Sequence, residues 1–478
     1  MSLNFLAILP EIMILTVGIL VLILDPFWKD ENRRVYLGWL TAGGLTATLI
    51  VALLIGRPAE AALAFGGMIR FDMLGFVFKM LFIFGAAITA LFMMDTAKIG
   101  GRAEAYLLLL AATIGMSLMA SASDLVMLYL AVESTSIPMY VLAGFLLDDK
   151  KSTEAGFKYL LFGAMTSAIF LYGLSLVYGF TGTTHFAELA GYFTSPNLIS
   201  LGLVFLVVVG ISFKVSLVPF HFWAPDTYEG APTPIAGFLS TASKAAGFAV
   251  LIRFFLTVFP QVANDWQIIL AIVATLTMTL GNLIALGQTN LKRLLAYSSI
   301  AHAGYALIGI VANSKLGTTG TIFYLMAYIL TNLTAFGVIM AFERVTGSSD
   351  IRAFDGLSRR SPYLGLVMLV AFLSLAGMPP FGGFIAKVLV FAGAIESGWY
   401  WLVVVGILNS IIGLYYYLTV LKYVYLYRME GEDEEAHPLP VSRPFVIAIV
   451  VLTLGIILIG TLFAPWYGFS NQAALSLF

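Results

Sequence analysis

The sequence predicts an all-α, polytopic membrane protein of about fourteen transmembrane helices, arranged as two inverted five-helix repeats that each contain a broken helix. Three observations lead there. Hydrophobic residues make up 60% of the 478 positions and charged residues only 11%, with a mean hydropathy of +0.97, far above the range of soluble domains. Apolar runs of about 20 residues, enough to cross ~30 Å of hydrocarbon, recur from one end to the other. The stretch Gly210-Ile-Ser-Phe-Lys-Val-Ser-Leu-Val-Pro-Phe-His-Phe-Trp223 then places a lysine, a proline and a histidine inside one such run.

In chain order the runs lie near 5–24, 35–55, 73–94, 105–122, 124–147, 155–180, 198–223, 234–258, 266–287, 294–312, 319–342, 362–397, 399–425 and 444–464. The first has no basic flank and no small-residue cleavage site, so it is expected to be a retained helix and not a signal peptide. The fourth and fifth are so close that a tight turn is required at Ser121–Asp124. Pro219 lacks a backbone donor and clashes with the preceding turn, so it should break the seventh run. Pro379 and Pro380 should break the twelfth. Such breaks free carbonyls in the membrane and are tolerated where they line a cavity.

Loop charges set the expected orientation. Odd-numbered loops hold Lys29, Arg33, Arg34, Lys98, Arg102, Lys150, Lys151, Lys292, Arg293, Arg344, Arg352, Arg359, Arg360, Arg428 and Arg443, whereas even-numbered loops hold only Arg57, Arg70 and Lys315. By the positive-inside rule the odd loops are cytoplasmic and both termini lie on the outer side of a bacterial-type inner membrane. The acidic stretch Glu430–Glu435 reads as a solvated linker in the last cytoplasmic loop.

A shift of 165 residues lays Tyr140 on Tyr305, Gly144 on Gly309, Tyr159 on Tyr324, Leu160 on Leu325 and Thr166 on Thr331, and a shift of 161 lays Pro219-Phe220 on Pro380-Phe381. The matched helices are five spans apart, and an odd step inverts the copy. The expected organisation is therefore a three-helix segment over 1–104, a first repeat over 105–258, a second over 259–425, and an acidic loop with a last helix over 426–478.

Composition also excludes functions. The 25 basic and 26 acidic residues nearly cancel, which gives no case for nucleic acid. There are no cysteines for iron–sulfur, zinc-thiolate or disulfide chemistry. Of the four histidines, His185, His221, His302 and His437, only His221 and His302 fall in apolar runs, which argues against a bis-histidine haem. The chain is expected to carry no redox centre, metal or cofactor of its own.

Seven basic residues fall inside apolar runs: Lys79, Lys158, Lys214, Lys244, Arg253, Lys387 and Lys422. Lys158 and Lys422 lie near run ends, where a long stem carries the ammonium to the headgroups. Lys79 and Arg253 fit either snorkelling or an internal ion pair. Lys214, Lys244 and Lys387 are central or beside a break, where a charge costs at least ~2.5–3.5 kcal/mol and marks an ion path. Glu133 is the matching carboxylate, midway along the fifth run. Burial disfavours the charged form of a carboxyl or an amine and a nearby opposite charge favours it, so a Glu133–Lys214 pair that can part would switch its proton affinities and let Lys214 pass a proton to Lys244. His302, among hydroxyls, and His221, after the break, are possible relays by their near-neutral titration. Asp124, Asp226 and Glu229 read as capping or solvated groups. Gly163, Gly173, Gly237 and Gly247 read as close-packing positions. The Tyr415–Tyr417 run, Trp399, Trp401 and Trp466 read as interfacial anchors.

Glu133, Lys214 before Pro219-Phe-His-Phe-Trp-Ala-Pro-Asp226, Ser240-Thr-Ala-Ser-Lys244, Leu291-Lys-Arg-Leu-Leu-Ala-Tyr-Ser-Ser299 and Gly377-Met-Pro-Pro-Phe-Gly-Gly-Phe-Ile-Ala-Lys387 together resemble the antiporter-like subunits of respiratory complex I and the Mrp sodium/proton antiporters. The resemblance spans roughly 105–425. The start Leu9-Pro-Glu11, the length and the number of spans resemble the N-type subunits within it, which lack a long lateral C-terminal helix. The resemblance implies that Glu133, Lys214, Lys244 and Lys387 are the proton-path glutamate, paired lysine, central lysine and exit lysine, and that His302 lies where two half-channels meet. It implies a non-redox subunit that moves protons while flavin, iron–sulfur clusters and quinone sit in partner subunits. An Mrp-type cation/proton antiporter and a structural membrane scaffold are the alternative expectations.

Overall fold

Hydrocarbon offers the backbone no hydrogen-bond partner, so apolar runs of this length close their bonds internally as helices. The computed structural model of the chain describes residues 4–28, 31–96, 98–193, 198–427 and 439–478. Along it run α1 (Leu9–Leu24), α2 (Glu31–Ile55), α3 (Met73–Met94), α4 (Ala103–Ser121), α5 (Leu125–Ala143), α6 (Lys150–Thr181), α7 (Leu198–Val215), α8 (Trp223–Gly230) and α9 (Thr233–Val258). There follow α10 (Ala263–Ala285), α11 (Leu291–Val311), α12 (Lys315–Thr346), α13 (Pro362–Ala376), α14 (Gly382–Glu396), α15 (Tyr400–Tyr425), α16 (Arg443–Thr461) and α17 (Phe463–Leu475). Among the described residues twelve continuous helices are long and apolar enough to cross a membrane, and α7 and α13 are shorter apolar helices. Lys29, Arg428, the stretch Glu430–Glu435 and His437 lie outside the described residues.

Helices α9, α11 and α12 form the interior, while α1, α2 and α6 turn much of their surface outward. The predicted turn between α4 and α5 is present, with Asp124 accepting from the amides of Val126 and Met127 at 2.8 and 3.2 Å as an N-cap. The expected break of the seventh run is present, and two further features add to the sequence expectations. The seventh run ends at Val215 and resumes as α8, because the chain turns at Ser216 (φ 59°) ahead of Pro219. A small antiparallel hairpin, β1 (Ala62–Ala64) and β2 (Ile69–Phe71), joins α2 to α3 within this helical fold. The last helix is followed by α17, which packs on α12 and α3 and accepts Arg57 Nη2 on Gln472 Oε1 at 2.7 Å.

The repeat is visible in the backbone. Helices α6 and α12 are each 32 residues long and end in left-handed glycines, Gly182 (φ 73°) and Gly347 (φ 68°), 165 positions apart. Each is followed by a return to the cap of an earlier helix: His185 bridges Asp124 and Asp350 bridges Asn290. The broken helices carry left-handed residues at Ser216 and Gly377 and cis peptide bonds at Val218–Pro219 and Pro379–Pro380, each pair 161 positions apart.

Candidate functional site

Each break creates a helix C-terminus inside the bundle, and the site grows from that fact. The last carbonyls of a helix lack intrahelical partners and carry partial negative charge, which suits a cation. Lys214 occupies the last turn of α7. Lys387, on α14, turns back to donate from Nζ to the carbonyl of Ala376, the last residue of α13, at 2.9 Å. A Cβ on Gly377 would come within 2.9 Å of Lys387 Cδ, so the glycine leaves room for that approach as well as taking φ 87°. At the first break Trp223 Nε1 donates to the carbonyl of Phe213 at 3.0 Å, and Val218 N donates to Thr277 Oγ1 at 3.0 Å.

Lys214, Lys244, Lys387, His221 and His302 are all buried, at 5, 2, 7, 5 and 6% exposure. They are interior groups and not snorkelling ones. Lys244 follows a π turn, Leu239–Ser243, within α9 and donates to Ser299 Oγ on α11 at 2.7 Å. Its ammonium lies 5.8 Å from the centre of the Tyr228 ring. A Cβ on Gly247 would meet Lys214 Cβ at 3.3 Å, so the Lys214 stem packs on α9 one turn from Lys244. His221 lies within electrostatic reach of Lys244, and His302 within reach of both Lys244 and Lys387. His302 Nδ1 is 2.6 Å from Tyr324 Oη and its Nε2 3.1 Å from Tyr417 Oη. Tyr417 also bonds Ser298, and Lys387 Nζ stands 4.9 Å from the Tyr305 ring centre. A cavity of about 10 Å³ beside the histidine is lined by His302, Tyr324, Tyr328, Thr331, Ser374 and Ala386, with space for about one water.

Glu133 and Lys214 are brought close but not into contact. The glutamate accepts a short hydrogen bond from Ser167 on α6, while Lys214 Nζ donates to Ser136 on α5. The two remain within electrostatic reach of each other. Serines thus hold both partners of the expected pair apart.

Of the other basic residues in apolar runs, Lys79, Arg253 and Lys158 form ion pairs. Lys79 meets Glu11 Oε1 and the Ala7 carbonyl, both at 2.7 Å. Arg253 forks onto Asp72 with two bonds of 2.7 Å and donates from Nε to Ala120 O at 2.9 Å. Lys158, near the start of α6 and 34% exposed, meets Glu154 and Asp226, each at 2.6 Å. Asp226 and Glu229, expected as capping or solvated groups, form a network with Arg293 at 2.7 and 2.9 Å, and Lys151 joins Glu229 at 2.8 Å. Burial alone raises these two carboxyls, but hydrogen bonds from Lys158 and Arg293 to Asp226, and from Lys151 and Arg293 to Glu229, outweigh it and hold both below the ordinary carboxylate range. Lys422 is exposed, as expected.

The tyrosine run needs correction. Tyr415 faces outward, but Tyr416 and Tyr417 are buried and bond Asn282 Oδ1 (3.0 Å) and the His302 site. Sequence reasoning also missed Ser136, Ser167, Ser299, Tyr324 and Asp72. A signal existed for Tyr416 and Tyr417: Asn409 and Gly413 precede them on one stripe of α15, and a polar asparagine on that stripe marks it as internal.

The region 122–413, which contains Glu133, Lys214, His221, Lys244, His302 and Lys387, matches the family described as NADH:quinone oxidoreductase/Mrp antiporter, TM. The chain belongs to this family. NADH-quinone oxidoreductase subunit N of Moorella thermoacetica, a relative within it, is 43% identical over 474 residues, covering 98% of each chain. A chain of respiratory complex I from Thermus thermophilus superposes with a TM-score of 0.80 at 34% identity, over 96% of this chain and 98% of that one. A chain of the Mrp complex from Dietzia sp. shares the fold, with a TM-score of 0.83 at 21% identity over 99% and 97%.

Proposed function

We infer that this chain is a proton-translocating membrane-arm subunit of an NADH:quinone oxidoreductase, of the subunit N type. The observation that carries this reading is the file of buried lysines and histidine running from the first break to the second, with each lysine held on a hydroxyl or a freed carbonyl. Such groups are expensive in hydrocarbon and are retained where protons pass. In this reading Glu133 and Lys214 form the switch, Lys244 receives the proton, His302 hands it on, and Lys387 releases it. His221, beside Lys244 at the Pro219 break, is a second relay.

Because serines hold Glu133 and Lys214 apart, a small rotation of either side chain changes how strongly the carboxylate stabilises the ammonium. Closure holds the proton on Lys214 and separation releases it toward Lys244. The two repeats, 105–258 and 259–425, serve as two half-channels meeting between Lys244 and His302. Flavin, iron–sulfur clusters and quinone belong to partner subunits, and this chain carries no redox step. The odd loops lie in the cytoplasm, with both termini on the outer side of the inner membrane.

An Mrp-type exchanger is the second reading, supported by the shared fold but at the lower identity. Purification separates the two. Co-migration with NADH-oxidising subunits, and vesicle acidification driven by NADH, support the first. A free-standing chain that exchanges sodium for protons without NADH overturns it.

A further inference from the structure

Away from the lysine file, the structure holds a cavity of about 260 Å³ bounded by the hairpin residues Ala61, Ala62 and Leu63, by Phe186 and Ala187 after α6, and by Arg70, Arg253 and Thr257. We propose that this cavity is a binding site for the phosphate of an anionic phospholipid. Charge, donors, depth and wall chemistry each point there.

The two guanidiniums in the lining share one carboxylate, that of Asp72. Asp72 accepts the Arg253 fork at 2.7 Å and Arg70 Nε at 3.1 Å. Two positive charges against one negative leave a surplus of one: Asp72 pairs the buried Arg253, and the surplus sits on Arg70, whose side chain is 28% exposed. One phosphodiester, with a single negative charge, balances the cluster. The described bonds use three of the five N–H groups of Arg253, to Asp72 and Ala120 O, and two of those of Arg70, to Asp72 and Ser476 O. Arginine presents its remaining donors in a planar geometry matched to phosphate oxygens.

The depth agrees. Arg70 lies three residues before the start of α3, Ser123 two residues before α5, and Thr257 in the last turn of α9, so the cavity opens where helices begin and end, at the level expected for headgroups. Its remaining wall is alanine, leucine and phenylalanine, with Leu63 49% exposed beside it. That wall suits the glycerol and first acyl carbons and gives nothing to a free inorganic ion. The volume is below the ~300–1,000 Å³ of drug-sized sites, the scale of a headgroup. Arginine donors at headgroup depth beside an apolar wall are the combination an anionic lipid headgroup requires.

The test uses the intact membrane complex, stripped of loosely held lipid, and native mass spectrometry with phosphatidylglycerol, phosphatidylcholine or inorganic phosphate added back. Two variants are compared with wild type. Arg70→Gln removes surplus charge. Ala187→Phe fills the cavity from an exposed position with both arginines intact, so it remains informative where Arg70→Gln impairs folding. The expected result is one phosphatidylglycerol fewer per complex in Ala187→Phe and in any folded Arg70→Gln, with phosphatidylcholine not replacing it. Equal phosphatidylglycerol retention in wild type and Ala187→Phe overturns the proposal, including the case in which a neighbouring chain's carboxylate closes the cavity. Displacement of the lipid by millimolar inorganic phosphate overturns it as well.

Discussion

Removing the Asp72 carboxylate tests whether the buried Asp72–Arg253 pair anchors the helix that carries Lys244. Both residues are 1% exposed and joined by two 2.7 Å bonds. Breaking one side of a buried pair costs roughly 3–5 kcal/mol, because the other charge is stranded. Asp72→Asn keeps an acceptor for the Gly75 amide, now 2.9 Å away, and so spares most of the cap, itself worth ~0.5–2 kcal/mol. Arg253→Met leaves Asp72 with Arg70 at 3.1 Å and should cost less than Asp72→Asn. The double variant removes both charges from the pair and should recover much of the loss, giving a coupling energy of roughly 3 kcal/mol or more. Denaturant unfolding of the purified chain in mild detergent, followed by tryptophan fluorescence, measures all three. A coupling below about 0.5 kcal/mol, the size seen for exposed pairs, refutes the anchoring argument. Arg253 lies nine residues past Lys244, about 14 Å along α9, so anchoring there holds the helix beyond its π turn.

Three further outcomes follow from the same geometry. Glu133→Gln removes the charge that Lys214 senses, and proton transport by assembled complex should fall several-fold while subunit content is unchanged; transport at the wild-type level contradicts the switch. Tyr417→Phe deletes the hydroxyl joining His302 to Ser298 with little change in volume, so pumping should drop with normal assembly, read as protons moved per NADH oxidised. Asp226 and Glu229 are held below the ordinary carboxylate range, so the stability they confer is present above the unfolded value near ~4 and is lost as pH falls through their lower folded values. Hydrogen exchange in α8 should therefore rise on acidification below about pH 4, and Asp226→Asn/Glu229→Gln should flatten that dependence.

Much of this architecture is legible in the chain because hydrocarbon imposes simple rules. Run length gives the helices, and Pro219 and Pro380 announce the breaks, since no other residue removes a backbone donor. The central lysines stand out because their cost has no structural excuse. What stays hidden depends on which face of a helix looks inward. Tyr415, Tyr416 and Tyr417 are indistinguishable as a string, yet the first faces outward and the other two are buried. Ser136, Ser167 and Ser299 are ordinary helix residues until their facing partners are known. The Arg253–Asp72 pair joins positions 181 apart, and nothing local to either one names the other. The partner of Lys158, Asp226, was hidden because it lies 68 positions away, across a loop and a broken helix.

In the proposed path, Lys244 joins the Lys214 end of the file to the His302 end. The decisive measurement is the ratio of protons taken up to NADH oxidised, in vesicles containing fully assembled complex with Lys244→Ala at wild-type subunit content. A ratio well below that of the parent complex is the predicted result. An unchanged ratio contradicts the claim that protons cross this chain through its buried lysines.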